Sequence, residues 1–402
     1  MKFSEFIKTI NSWLEIVNFR KYGDKLLFAV ALAVLLGALL PIITGYIARE
    51  RAARTIVFTQ WWHEELDEAV LTSLIEEFES RYNWIRVILD NKSYQDIQSD
   101  LFRSADDAPP CGDIFALDLL WVPELMANEI IENPSQIILS FINVLFYNID
   151  ILTEAGFSRP PRNRSEFTAY SRELSNSAHR GLVMDMSGFR GAYDDVMPWI
   201  WSAGAGLINN GSPTAASAPV TASLSFLQNL NSEELILHSN GGKIEDFILG
   251  RAAFMVAPVM FIDRVRERMG EEAFDVTSIP PPDNYAGRTF FASLDWVLAI
   301  NPASEQKAEA QLFFDFLVEN APLFSENTRA SPSSQAIYDP HFSKVWEIIM
   351  AGQNASDFDG LPWAELDHLF REELEALFDQ THTPAQAAAA IQRSWDSFLR
   401  EW

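Results

Sequence analysis

Tryptophan beside acid is the chemistry this sequence repeats. Twelve tryptophans occur in 402 residues. Several stand next to polar side chains where strands are expected to end: Trp61-Trp62 before Glu64, Trp121 after Asp118, Trp199 and Trp201 after Asp194-Asp195, Trp296 after Asp295, and Trp363. An indole offers a flat apolar face and one N–H donor. A sugar has C–H groups on a face and hydroxyls around its edge, so a stacked ring with a carboxylate at the edge is the physical logic of carbohydrate recognition. For any single tryptophan, core packing is the commoner use; the cluster with its acidic neighbours carries the argument.

Other chemistry is sketched and left incomplete. His63-Glu64-Glu65-Leu66-Asp67 approaches a zinc-protease signature but lacks the second histidine. Gly204-Ala205-Gly206 has two glycines of a nucleotide loop, no third, and no strand leading into it. Asp194-Asp195 supplies two carboxylates, as a glycosidase requires, but sequence neighbours seldom face each other across a scissile bond. No phosphate-cradling loop and no nucleophile elbow occurs. The single cysteine, Cys111, excludes an internal disulfide and a metal site of four thiolates. The sequence calls for neither metal nor cofactor, and binding rather than turnover is expected.

Strand–helix alternation positions these residues. A strand over 55–60 leads into an amphipathic helix in which Leu66, Val70, Leu74, Phe78 and Tyr82 recur every four residues. A strand over 85–89, a helix over 95–102 and a strand over 113–117 follow. The apolar run 137–146 is too short to span a bilayer and reads as a buried strand. Further on come strands over 252–256, 274–278 and 296–300, with helices over 262–269 and 305–318. This is the pattern of a sheet covered by helices. The last helix begins with Thr383 as N-cap and Pro384 in first position, and Ile391, Trp395, Phe398 and Trp402 give it one apolar face.

Leu26 to Ala48 carries no charge, which is long enough for a membrane-spanning helix and longer than the apolar core of a cleaved signal. Five basic residues precede it and three follow, which puts the N-terminus in the cytoplasm and the large domain outside. Cleavage after Gly45 is the alternative. The first 24 residues suit an amphipathic helix on the membrane surface. Thirty basic against 56 acidic residues leave a net charge of −26, which disfavours nucleic acid as a partner. About 350 residues beyond the anchor are too many for one ordinary core and suit two lobes.

From about Thr55 to the end, the order of motifs resembles the bacterial extracellular solute-binding proteins of family 1, the sugar-binding components of ABC importers and maltose-binding-protein-like. The opening IVFTQWWHEELDEAVLTSLIEEFESRY, the strand-and-helix GDIFALDLLWVPELMANEII, the crossover VLFYNIDILTEAGFSRPPRNRSEFTAYSREL, the segments PWIWSAGAGLI and FILGRAAFMVAPVMF, and the return SLDWVLAINPASEQKAEAQLFFDFLV carry the likeness. The resemblance implies an α/β, two-lobed periplasmic-binding-protein fold of type II with the ligand cleft between the lobes. It implies one lobe over 55–143 and 290–330 and a second over 144–289 and 331–402, beyond the cytoplasmic segment over 1–24 and the anchor over 25–48 that hydropathy and charge suggest. Two departures stand out. The stretch 133–144 is shorter than the family's, part of which lines the cleft. The turn Ala257-Pro258-Val259-Met260-Phe261 has Phe261 where a stacking tryptophan is usual.

The candidate ligand-binding set is therefore Trp61, Trp62, Glu64, Asp118, Trp121, Asp194, Asp195, Trp199, Trp201, Phe261, Asp295, Trp296, Arg329 and Trp363. The expected function is capture of a sugar or sugar-like solute by a monomer held at the inner membrane, and delivery to ABC permease subunits. A tethered ligand-sensing receptor is the second reading, and an enzyme acting on saccharides the third.

Overall fold

The computed structural model describes residues 54–64, 68–103, 112–187, 190–287, 290–291, 293–327, 338–355, 358 and 360–402. The anchor expected over 25–48 and the candidate Arg329 lie outside them. Among the described residues no helix is long and apolar enough to cross a membrane. One compact unit, Thr55–Arg81 with Val87–Trp402, holds both cavities described below and every residue that lines them. Of the other, Met1–Arg54 with Tyr82–Arg86, the described part joins the Arg54 N–H to the Trp84 carbonyl at 2.7 Å.

Nine strands form the main sheet: β1 Arg54–Gln60, β2 Ile85–Asn91, β3 Ile114–Asp118, β4 Leu139–Asn148, β5 Arg180–Met184, β6 Ile236–His238, β7 Ala252–Pro258, β8 Phe274–Thr277 and β9 Ser293–Ile300. Their order is β2-β1-β3-β9-β4-β7-β5-β6, with β8 also pairing β4. Strand β4 decides the architecture. Its first half pairs antiparallel with β9, from Leu139 opposite Trp296 to Ile142 opposite Ser293. From Asn143 onward it pairs instead with β7 and then β8. One strand thus crosses between two sheet halves, and each half is the floor of a lobe.

The short stretch before β4 is used as backbone ladder. Ser135 N–H donates to the Leu298 carbonyl at 2.7 Å and Ile138 N–H to that of Trp296 at 2.8 Å. This segment therefore runs along β9.

Parallel pairing joins β1 to β3 in the first half, and β7 to β5 to β6 in the second. Helices cover such strands on both faces, so their central residues are apolar. All five residues of β3 and all seven of β7 are buried. The helix Glu68–Arg81 packs Leu71, Leu74 and Phe78 inward, with the Phe78 ring 4.8 Å from that of Phe313.

In the second half, the helices Trp363–Phe378 and Pro384–Glu401 close over Ala218–Ser232. Gln228 Nε2 donates to the Leu377 and His382 carbonyls at 2.9 and 3.0 Å, and Trp395 Nε1 donates to that of Leu366 at 3.1 Å. The last helix starts with a reciprocal cap. Thr383 Oγ1 accepts from Gln386 N–H at 3.3 Å, and Gln386 Oε1 accepts from Thr383 N–H at 2.9 Å.

Candidate functional site

The C-terminal ends of the parallel strands converge from both halves. Trp61 follows β1, Asp185 follows β5, Gly241 lies just past β6, and Pro258 ends β7. All four line one cavity of about 370 Å³, with Tyr94, Arg190, Asp194, Lys243, Met260, Phe261, Arg264 and Trp296 among the other walls. Ligands of open α/β sheets settle at such strand ends, because side chains and free backbone groups there point into a crevice no helix covers.

Six charged side chains stand in the lining, Asp185, Arg190, Asp194, Lys243, Glu245 and Arg264, and each is held. Asp185 accepts from the Ser187 N–H at 3.0 Å and from the Gly241 N–H at 2.6 Å. Gly241 makes that turn at φ +79°, where a side chain would be strained. Lys243 Nζ donates to Asp195 Oδ1 at 2.9 Å, while Asp195 Oδ2 accepts the Asp185 N–H at 2.8 Å. Burial pushes the Asp195 carboxyl up to about 6, and Lys243 beside it pulls the other way. Arg264 pairs with Glu245 at 2.8 Å at the more exposed side of the cavity.

Across the cavity, Arg190 donates to Asp118 and lies 3.4 Å from Asp194. Burial works against the charge of Arg190, but these two carboxylates hold its pKa well above the ordinary arginine value. Asp118 also accepts from the Tyr94 hydroxyl at 2.9 Å and from the Leu120 N–H at 3.0 Å. Asn143 Nδ2 donates to Asp194 at 3.1 Å.

The tryptophans take several places. Trp61 and Trp296 line the cavity, their rings 5.2 Å apart. They are 1% and 2% exposed, so little of either ring is open to a ligand. Trp62 lies behind them, stacked on Trp296 at 5.8 Å and meeting Phe58 and Phe324 edge to face. Trp121 packs on Trp61 and Tyr94. Trp199 is enclosed by Phe167 and Phe226, and Trp201 and Trp363 both meet Tyr193. Trp62, Trp121, Trp199, Trp201 and Trp363 are fully buried and line neither this cavity nor the second one below. An indole is the largest apolar side chain, and in two-sided parallel sheets the interior is its most favourable place.

Among the acids and Phe261, Asp194 and Phe261 line the cavity. Asp195 stands behind Lys243 and Asp118 behind Arg190. Asp295 lines a second cavity, of about 450 Å³, with Asp118, Tyr193 and Phe358, and accepts from Ser140 Oγ at 2.6 Å. Glu64 ends the short helical turn Trp62–Glu64, and its side chain is outside the description. The Gly204-Ala205-Gly206 motif has a packing role. Gly204 turns at φ +66°, and a Cβ there would meet the Tyr285 hydroxyl at 1.9 Å.

The sequence reading missed Tyr94, Asp185, Arg190, Lys243, Met260 and Arg264. Two had a usable signal. Asp185 follows the apolar strand RGLVM, and Lys243 follows a Gly-Gly turn after ILH, the same strand-end position that singled out Asp118.

No curated protein matches the chain. Solved structures share the fold: the GacH receptor of Streptomyces glaucescens, determined unliganded and with acarbose (15% identity, TM-score 0.70, covering 87% of this chain and 99% of that one); maltose-bound MalE3 of T. maritima (17%, 0.69, 86% and 100%); and the MalE domain of Bdellovibrio bacteriovorus bound to maltotriose (14%, 0.69, 86% and 100%). Residues 62–322, more than half the chain, match the family of bacterial extracellular solute-binding proteins. The strand-end cavity between two sheet halves and this match together place the chain in that family: it is a bacterial extracellular solute-binding protein.

Proposed function

We propose that the protein captures a short, uncharged saccharide or similar polyol in the cavity between its lobes and passes it to the transmembrane subunits of an ABC importer. The observation that carries this is the pairing of charge around the cavity. Arg190 stands with Asp118 and Asp194, Lys243 with Asp195, and Arg264 with Glu245. A net-charged ligand would have to break such a pair and leave a desolvated charge behind, which costs several kcal/mol. A hydroxyl donates to a carboxylate and accepts from an ammonium or guanidinium, so a polyol adds to the network and breaks none of it. Trp61, Trp296, Met260 and Phe261 in the lining supply apolar contact for C–H groups.

Likeness to proteins solved with acarbose, maltose and maltotriose favours the same class of ligand. The uncharged run over 25–48 would hold the binding domain outside the membrane as a tethered monomer. Binding without turnover fits a cavity whose acids are all held by hydrogen bonds or ion pairs.

Native mass spectrometry of the purified chain, followed by thermal melting against a saccharide panel, tests this. A saccharide present at a hundred times its Kd should add about 2.7 kcal/mol of stability. Gly242→Trp locates the effect. Gly242 lines the cavity, its φ suits a side chain, and a Cβ there meets only Ser239 Oγ at 3.6 Å. The variant should fold and lose the shift. A panel with no stabilising member, or a shift that survives Gly242→Trp, defeats the proposal.

A further inference from the structure

We infer that Arg190 sets the length of the ligand, by walling off one end of the cavity. The inference rests on the saccharide-binding reading above and adds a specificity determinant to it.

Two cavities lie back to back. The first, of about 370 Å³, is lined by Arg190 and Asp194; the second, of about 450 Å³, by Asp118, Tyr193 and Asp295; Leu294 lines both. What separates them is the Asp118–Arg190 ion pair with the Tyr193 ring. Asp118 ends β3 in the first sheet half, and Arg190 opens the helix Gly191–Asp195 in the second, so the wall is built from both lobes.

The wall is pre-organised. The guanidinium carbon of Arg190 lies 5.1 Å from the centre of the Tyr193 ring, and its nitrogens reach both Asp118 and Asp194. Asp118 is itself fixed by the Tyr94 hydroxyl and the Leu120 N–H. A side chain with carboxylates at two of its nitrogens and a ring beneath it has few rotamers left, and swinging it aside would strand the buried Asp118 charge. The first cavity is near the lower end of the range for small-molecule sites. Joined to the second, it would be more than twice as large. An arginine at this position therefore admits a short ligand and stops a longer chain from running on into the second cavity.

The experiment titrates the full chain, wild type and Arg190→Ala, against linear gluco-, manno-, xylo- and galacto-oligosaccharides from monosaccharide to hexasaccharide. Asp118→Asn/Arg190→Ala is tested in parallel. There an amide replaces the carboxylate that the single variant leaves unpaired, and it can still exchange hydrogen bonds with Tyr94 and Leu120. The wild type should bind the short members of one series and lose affinity for the longer ones, at least tenfold by the hexasaccharide. At least one variant should bind the longer members of that series about tenfold more tightly, relative to the short ones, than the wild type does. A wild type that binds the hexasaccharide as well as the short members overturns the inference. So does a length profile the same in the wild type and both folded variants, with the saccharide reading intact. Binding of no member of any series overturns both.

Discussion

Asparagine in place of Asp367 should stabilise the protein at about pH 8 and leave it unchanged at about pH 4. Asp367 sits in the helix Trp363–Phe378 with no accessible surface. Arg371, one turn on, brings its Nε to 2.9 Å from the carboxylate. Burial pushes the Asp367 carboxyl up to about 7; Arg371 draws it down and Asp194 raises it further. An unfolded aspartate titrates near ~3.9. Between those values the folded chain keeps a proton that the unfolded chain has released. The contribution to stability is therefore complete below about pH 4 and lost as pH rises through about 7. At ~1.4 kcal/mol per pH unit the gap is worth about 4 kcal/mol. Asparagine has the shape of the protonated acid and does not ionise, so the variant should recover roughly 2–4 kcal/mol at about pH 8. Burial also pushes Glu124 up to about 7 and Asp195 up to about 6, but both titrate alike in the two proteins and cancel in the difference. Urea melts of wild type and Asp367→Asn at about pH 4.5, 6 and 8 give the difference curve. A curve flat with pH, or a variant weaker at about pH 8, refutes the reasoning. Either result would mean that Arg371 keeps the carboxylate ionised throughout.

Trp199→Ala should cost about 3–5 kcal/mol in the same melts, because the indole is wedged between Phe167 and Phe226, and should leave the saccharide affinity of the folded protein unchanged; a weakened affinity would return Trp199 to the binding site. Thr383→Ala should cost about 1 kcal/mol by removing the cap of the last helix, read as a lowered urea midpoint with the m-value unchanged.

Local signals in the chain were enough for the framework. Thr383 and Pro384 form the helix start their order announces, and Gln386 completes the cap, since a cap needs only neighbours in sequence. The run 137–146 has no alternation because β4 is covered on both faces, and that absence itself pointed to a buried strand; the structure places β4 at Leu139–Asn148. What the run does not show is that its partner changes between Ile142 and Asn143. The change follows from β9 and β7, which lie more than a hundred residues further on and meet β4 only in the fold.

The same two-sided burial explains why the tryptophans were hard to place. In a half-exposed strand, alternation shows which side chains face water. In β3 and β7 every residue is buried, so nothing local separates a ring at the rim of a cleft from a ring in the core. Trp61 and Trp62 are adjacent, yet one lines the cavity and the other is stacked behind Trp296. The acids raise a related difficulty. Asp118 ends a strand, as its place after the apolar run suggested, and Asp195 ends a short helix, but their partners Arg190 and Lys243 lie 72 and 48 residues away along the chain. Among 56 acidic residues, these two are distinguished by the cation each faces, and a cation's position is known only once the sheet halves are assembled. A carboxylate read alone suggests an acceptor open to a sugar hydroxyl. Paired, it fixes a cation instead, and the cavity lining becomes Arg190 and Lys243 with their charge already answered. That balance, invisible at either end of the pair, is what argues for a neutral ligand.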